Sequence, residues 1–218
     1  MKSKVLFAVL LLASVHAFAD TDVNGQPTST ARNAYSTYPD RGVVNRITPQ
    51  VALVESTLVN RDGSTDFKYK SGLAAGVTAD IGTSNVVLET GAVYKQLGTA
   101  VEGFGQTANL NLNYVTVPVL AKYYFSPEPT TAFIKVGALP SFLVGKGNTA
   151  AVGGLIFDEP NTFDLGAQAG LGGRIALGGG ADLMLEATYA RGFSKVFTNN
   201  AEIYNSAFGA TAGLGIAL

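Results

Sequence analysis

The sequence predicts an all-β protein, specifically an eight-stranded antiparallel up-and-down transmembrane β-barrel. Three observations carry this expectation. The chain breaks into runs of about ten to fifteen residues in which apolar side chains alternate with polar or small ones, the period of a strand. Connections between runs alternate between long and short, as in a barrel with one smooth and one decorated end. Charged residues make up 14% of the chain, against about 25% in an average soluble domain.

The chain opens with MKSKVLFAVLLLASVHAFA, in which Lys2 and Lys4 precede an apolar stretch from Val5 to Val15 and an Ala17-Phe18-Ala19 ending. That tripartite form predicts a secretory signal peptide over residues 1–19, too short to span a bilayer. Residues 20–44 are polar and turn-rich without a period, and are expected to form a flexible N-terminal segment. The barrel domain is then expected over 45–218. Removing Lys2 and Lys4 from the 15 basic residues leaves 13 against 16 acidic ones, a balance that points to no nucleic-acid partner.

Eight runs follow, at about 46–58, 69–81, 86–97, 109–125, 131–144, 162–177, 181–193 and 206–218. Short connections are GTSN at 82–85, SPEPT at 126–130 and GGG at 178–180; long ones lie near 59–68, 98–108, 145–161 and 194–205. In the third run Val86, Leu88, Ala92 and Tyr94 alternate with Glu89, Gly91 and Lys95. The fourth, NYVTVPVLAKYYF at 113–125, carries Pro118 and Lys122 inside an apolar strand. Both are explained if Val115, Val117, Val119, Ala121 and Tyr123 face lipid while Thr116, Pro118 and Lys122 face the lumen. Leu110, Leu112 and Tyr114 then fall on the opposite parity. They look outward too, so the phase slips near Asn113–Val115, and a bulge there is expected to flip the faces and accommodate the proline.

In the sixth run Phe163, Leu165, Ala167, Ala169, Leu171 and Ile175 oppose Asp164, Gly166, Gln168, Gly170, Gly172 and Arg174. The seventh sets Leu183, Leu185, Ala187 and Tyr189 against Asp182, Glu186 and Thr188. In the eighth, Phe208, Ala210, Ala212, Leu214, Ile216 and Leu218 alternate with Gly209, Thr211, Gly213 and Gly215.

Alternation alone does not say which face is inside, and a soluble ligand-binding barrel is the competing fold. The polar face is small and sparsely charged, which suits a crowded narrow lumen better than solvent. Tyr69, Tyr94, Tyr123, Tyr124 and Tyr189 near run ends fit aromatic girdles. By parity the lumen charges are Arg46, Lys95, Lys122, Lys135 and Arg174 against Asp80, Glu89, Asp164, Asp182 and Glu186. Charges withdrawn from water must pair, so a salt-bridged plug is expected.

No catalytic, cofactor-binding or metal site is assigned. The chain has no cysteine, and its one histidine, His16, leaves with the signal peptide, which removes the usual nucleophile–base pairs and zinc ligands. Gly166–Gly173 lacks the strand–helix setting of a phosphate loop. Asp182 with Glu186 reads as lumen ion pairing rather than acid–base catalysis.

NYVTVPVLAKYYF resembles the Tyr-x-x-x-Pro-x-x-x-Lys-Tyr-Tyr-Phe strand of the PorT-like outer-membrane β-barrel family, relatives of the OmpA/OmpX-type eight-stranded barrels. The likeness continues in GLAAGVTADIGTSNVVLETGAVYKQLG (72–98), AFIKVGALPSFLVG (132–145) and FDLGAQAGLGGRIALGGGADLMLEATYARGF (163–193). The chain departs from that pattern at Thr116, where an acidic residue is common, and at Thr188, where arginine is common. The resemblance implies an integral protein of a Gram-negative outer membrane, with structural or surface roles and no chemistry of its own.

The expected function is therefore that of a small outer-membrane protein with a structural or surface role, an anchor or a presenter of loops to a surface or envelope protein, monomeric and bound by outer-membrane lipid. A restricted channel or a transporter of small or apolar molecules is the alternative. Leu155, Ile156 and Phe157, apolar in the polar 145–161 connection, are the expected loop contact.

Overall fold

The computed structural model describes residues 44–60, 67–82, 85–103, 106–126, 128, 130–147, 159–197 and 202–218. Residues 1–43 and the 155–157 tip therefore lie outside the described residues. Nine strands are named: Val44–Asn60 (β1), Lys70–Ile81 (β2), Val86–Gly103 (β3), Gln106–Thr116 (β4), Val119–Tyr124 (β5), Thr131–Gly147 (β6), Phe163–Gly178 (β7), Ala181–Gly192 (β8) and Ile203–Ala217 (β9). All pairings are antiparallel, and β1 pairs with both β2 and β9, so the sheet closes into a ring. β4 and β5 are two halves of one stave, both paired with β3 and β6, which makes the ring eight staves round.

The proline interrupts that stave without inserting a residue. Val93 opposes Thr116 and Thr90 opposes Val119, so the register against β3 is continuous across the gap. Val117 still donates its N–H to the carbonyl of Pro140 at 2.9 Å. The expected phase slip in β4 is thus corrected: Leu110, Leu112, Tyr114, Thr116, Pro118, Leu120, Lys122 and Tyr124 are all buried on one parity. The bulge sits on the partner strand instead. Asn113 opposes Gly145 while Tyr114 opposes Leu143, leaving Val144 as the extra residue of β6. Tyr124, expected in a girdle, also points inward.

The long connection expected at 98–108 is a hairpin, because β3 runs to Gly103 and β4 begins at Gln106. At the opposite end Gly178, Gly179 and Gly180 take φ of 91°, 62° and 80° in turning β7 into β8. A run of three left-handed residues is open only to glycine at low cost.

Outward faces are apolar over a limited height. On β1, Val51 is 61% and Leu53 67% exposed, and the next outward residue is Glu55. On β3 the exposed series Val86, Leu88, Ala92, Tyr94 gives way to Gln96; on β4 and β5, Asn109, Asn111 and Asn113 give way to Val115, Val117 and Val119. Aromatic side chains cluster where the change occurs, with Tyr189 and Phe208 at 4.8 Å and Phe142 and Phe163 at 5.4 Å between ring centres. Tyr123 and Phe125 meet edge to face at 5.4 Å at the other rim. Such a band flanked by girdles matches the roughly 25 Å hydrocarbon face of a membrane barrel. Where the outward face becomes polar, the inward face becomes apolar, so a collar with a water-soluble pattern stands above the band.

This assignment is tested by arginine scanning. Leu185→Arg or Val117→Arg should cost about 2–4 kcal/mol of folding stability in lipid vesicles, and Asn113→Arg at the collar about 0–1 kcal/mol. Urea unfolding of the vesicle-inserted protein reads the difference, and equal costs at the three positions would overturn the band's placement.

Candidate functional site

The inward parity of the eight staves converges on a lumen with three levels. At the lowest, Arg46 of β1 meets Asp182 of β8, Nε to Oδ2 at 2.9 Å. Arg174 of β7 lies over the ring of Tyr124 at 4.6 Å and donates from Nη2 to the carbonyl of Glu128 at 3.2 Å. The Tyr124 hydroxyl donates to Asp80 Oδ2 at 2.6 Å.

Above this lies a chain of charges drawn from five staves. Lys122 Nζ holds Asp80 Oδ1 at 2.9 Å and also Glu89 Oε2. Lys135 Nζ bridges Glu89 Oε1 and Glu186 Oε2, both at 2.7 Å. Asp80, Lys122, Glu89, Lys135 and Glu186 therefore alternate in sign along one path across the lumen. Lys122 is 1% exposed, and its ammonium lies 5.0 Å from the centre of the Phe133 ring, a cation–π distance. Phe133 fits because Gly172 faces it: a Cβ there would lie 2.5 Å from the ring.

Lys95 and Asp164 stand outside these pairs. Lys95 is half-buried and lines, with Gln50, Gln168, Glu89 and Glu186, a cavity of about 90 Å³. That volume holds several waters, each needing roughly 10–15 Å³ by this measure. Asp164 Oδ2 accepts from Asn205 Nδ2 at 2.6 Å.

The third level is apolar. Leu58, Leu110, Leu112, Tyr114, Val196, Phe197 and Ile203 form a buried cluster, packed against Phe67, Leu97 and Leu143. Residues 193–197 are stitched into the wall: Phe193 and Ser194 donate backbone N–H groups to the Leu165 carbonyl at 2.8 and 3.2 Å, and Val196 donates to Ile203 at 2.9 Å. This cap packs apolar side chains into the collar end of the lumen.

Sequence reasoning missed the cap, along with Tyr124 and Phe133. A signal was present. Counting even positions back from Lys122 through Pro118 without a slip reaches Tyr114, Leu112 and Leu110, and Phe133 shares the parity of Lys135. Among the described residues no cluster of three or more His, Cys, Asp or Glu side chains is placed to hold a metal ion.

The model of the family described as "Outer membrane protein beta-barrel domain" matches residues 42–198. The chain belongs to that family. As a member it is an outer-membrane barrel of a Gram-negative envelope, bounded by lipid, and the family is not one of typical enzymes. Among solved structures it is similar to Neisserial surface protein A (12% identity over 79% of this chain and 97% of that one, TM-score 0.49). It is also similar to Ail, the attachment invasion locus protein of Yersinia pestis, in complex with the heparin analogue sucrose octasulfate (13%, 79% and 99%, TM-score 0.42). A third is AlkL, determined in DMPC bilayers (13%, 84% and 95%, TM-score 0.45). No curated protein matches the sequence.

The charge chain behaves as a unit if its members compensate one another. Lys135→Met removes the bridge between Glu89 and Glu186 and should cost about 3–5 kcal/mol, as breaking a buried pair does. Adding Glu186→Gln should recover part of that loss, because the stranded carboxylate is gone. A double-mutant cycle on urea unfolding measures the coupling; additive costs would dissolve the network into independent contacts.

Proposed function

We propose that the protein is a closed, non-conducting outer-membrane barrel with a structural role at the cell surface, acting as a monomer and presenting its collar and long connections outward. One observation supports this above the others: among the described residues the lumen is obstructed twice, by the charge chain and by the apolar cap, with a cavity of about 90 Å³ between them. Eight staves leave an interior just wide enough for side chains, and here side chains occupy it. The Pro118 strand supports the finer likeness to PorT-like barrels, and the leader at 1–19 supports export with cleavage after Ala19. Leu155, Ile156 and Phe157 remain the proposed loop contact for a surface or envelope partner.

Obstructions in series make a specific forecast for planar-bilayer recording. The wild type should show no stable steps. Lys122→Ala or Glu186→Ala alone should stay silent or lower stability, because the cap still blocks the path. Leu112→Ala with Phe197→Ala added to Lys122→Ala should admit small ions. A large, steady conductance from the unmodified protein would replace the closed-barrel reading with a channel.

A further inference from the structure

The outward face of the collar on β2, β3, β4 and β6 differs from the wall beneath it. Asn109, Asn111 and Asn113 form a column on β4. Cross-strand partners place Gln96 and Gly145 beside Asn113, Gly98 and Gly147 beside Asn111, and Ala100 beside Asn109. Lys68 pairs with Ala100 through an isolated bridge, and Lys70 Nζ donates to Asn111 Oδ1. The result is a flat field of amides and lysines on a floor of glycine and alanine. The glycines keep it flat: a Cβ on Gly147 would lie 3.1 Å from Asn111 Cβ, and one on Gly145 3.3 Å from Asn113 Nδ2.

Height selects the partner. Along β3 the outward residue below Gln96 is Tyr94, and Val115 below Asn113 opposes Phe142 of β6, at the aromatic rim. The field therefore begins where hydrocarbon ends and stands at the level of the surrounding lipid headgroups. We propose that this field binds the phosphorylated sugar headgroup of an outer-leaflet glycolipid.

The chemistry agrees at each point. An amide presents two donors and an acceptor, and amides two residues apart on a strand recur at about 7 Å, a spacing that spans one sugar ring rather than two adjacent hydroxyls. The glycine floor lets a ring approach the backbone closely. Lys68 and Lys70 at the edge supply charge for a phosphate. A protein partner is the poorer fit, since interface centres are built on aromatic and apolar anchors, and here Tyr69 and Val144 are exposed at the margin of the field with none among its amides. The inference goes beyond the closed-barrel reading and is independent of it, because a conducting barrel would meet the same headgroups.

The test uses the full protein in non-ionic detergent, with native mass spectrometry for adducts and thermal unfolding for affinity. Three probes are added: an acylated bis-phosphorylated glucosamine disaccharide lipid, its dephosphorylated form, and phosphatidylglycerol. The phosphorylated glycolipid should give a one-to-one adduct and raise the unfolding temperature, with the other two weaker. Asn111→Leu/Asn113→Leu/Lys70→Met should reduce apparent affinity by roughly tenfold or more. Arg191→Gln, at similar height on the far side of the collar, should leave it unchanged. Asn111→Asp, nearly the same shape, should also weaken binding and covers the case in which the triple variant fails to fold. Equal binding of phosphatidylglycerol, equal loss in Arg191→Gln, or undiminished binding by Asn111→Asp would each overturn the assignment.

Discussion

A backbone amide or carbonyl left unpaired in hydrocarbon costs several kcal/mol, and nothing in lipid can relieve it. The rest of this structure depends on that constraint. It requires the sheet to close, so β1 must find β9 as well as β2. Closure with eight staves makes the interior narrow, and a narrow interior excludes bulk water from whatever charges the inward parity brings. Those charges must then find each other, as Asp80, Lys122, Glu89, Lys135 and Glu186 do across five staves. Where the ladder lapses at Val117–Pro118 the register is kept on both sides, so closure survives a residue that cannot donate.

Closure also sets the order of energetic importance. The apolar outer face gains stability from lipid only if the inner face is satisfied, and an ion pair in a dry lumen offsets its desolvation only with good geometry. Lys135 illustrates the requirement, with two carboxylates each at 2.7 Å. The cavity beside Lys95 relaxes it locally, because water can reach a charge there that no carboxylate touches.

Much of the ring was legible in the chain, and the reason is the period of two. Strands β7, β8 and β9 show clean alternation, so their faces follow directly from the residues. The failures share one cause. The expectation that puts Leu110, Leu112 and Tyr114 outward holds only if apolar side chains face lipid along the whole stave. A sequence carries parity but not height, and above the bilayer the same parity serves an ordinary hydrophobic core. Tyr124 was misplaced by its neighbour Tyr123, since adjacent strand residues cannot both line a girdle. In the lumen, parity picks out which charges point inward. It cannot say that Lys135 bridges Glu89 and Glu186, because contacts between staves that are not neighbours depend on the stagger of the closed ring.

The reversal of polarity along the staves has a mechanical consequence. A barrel of uniform wall could slide along its axis to suit bilayers of different thickness. This one resembles a rivet: sinking by one residue pair would draw Glu55, Gln96 and Asn113 into hydrocarbon, and rising would strand Val51, Leu53 and Tyr94 in water. Its depth is therefore pinned to within a few ångströms. A change in membrane thickness must be met by tilting of the barrel or by deformation of the lipid around it, and not by displacement of the protein.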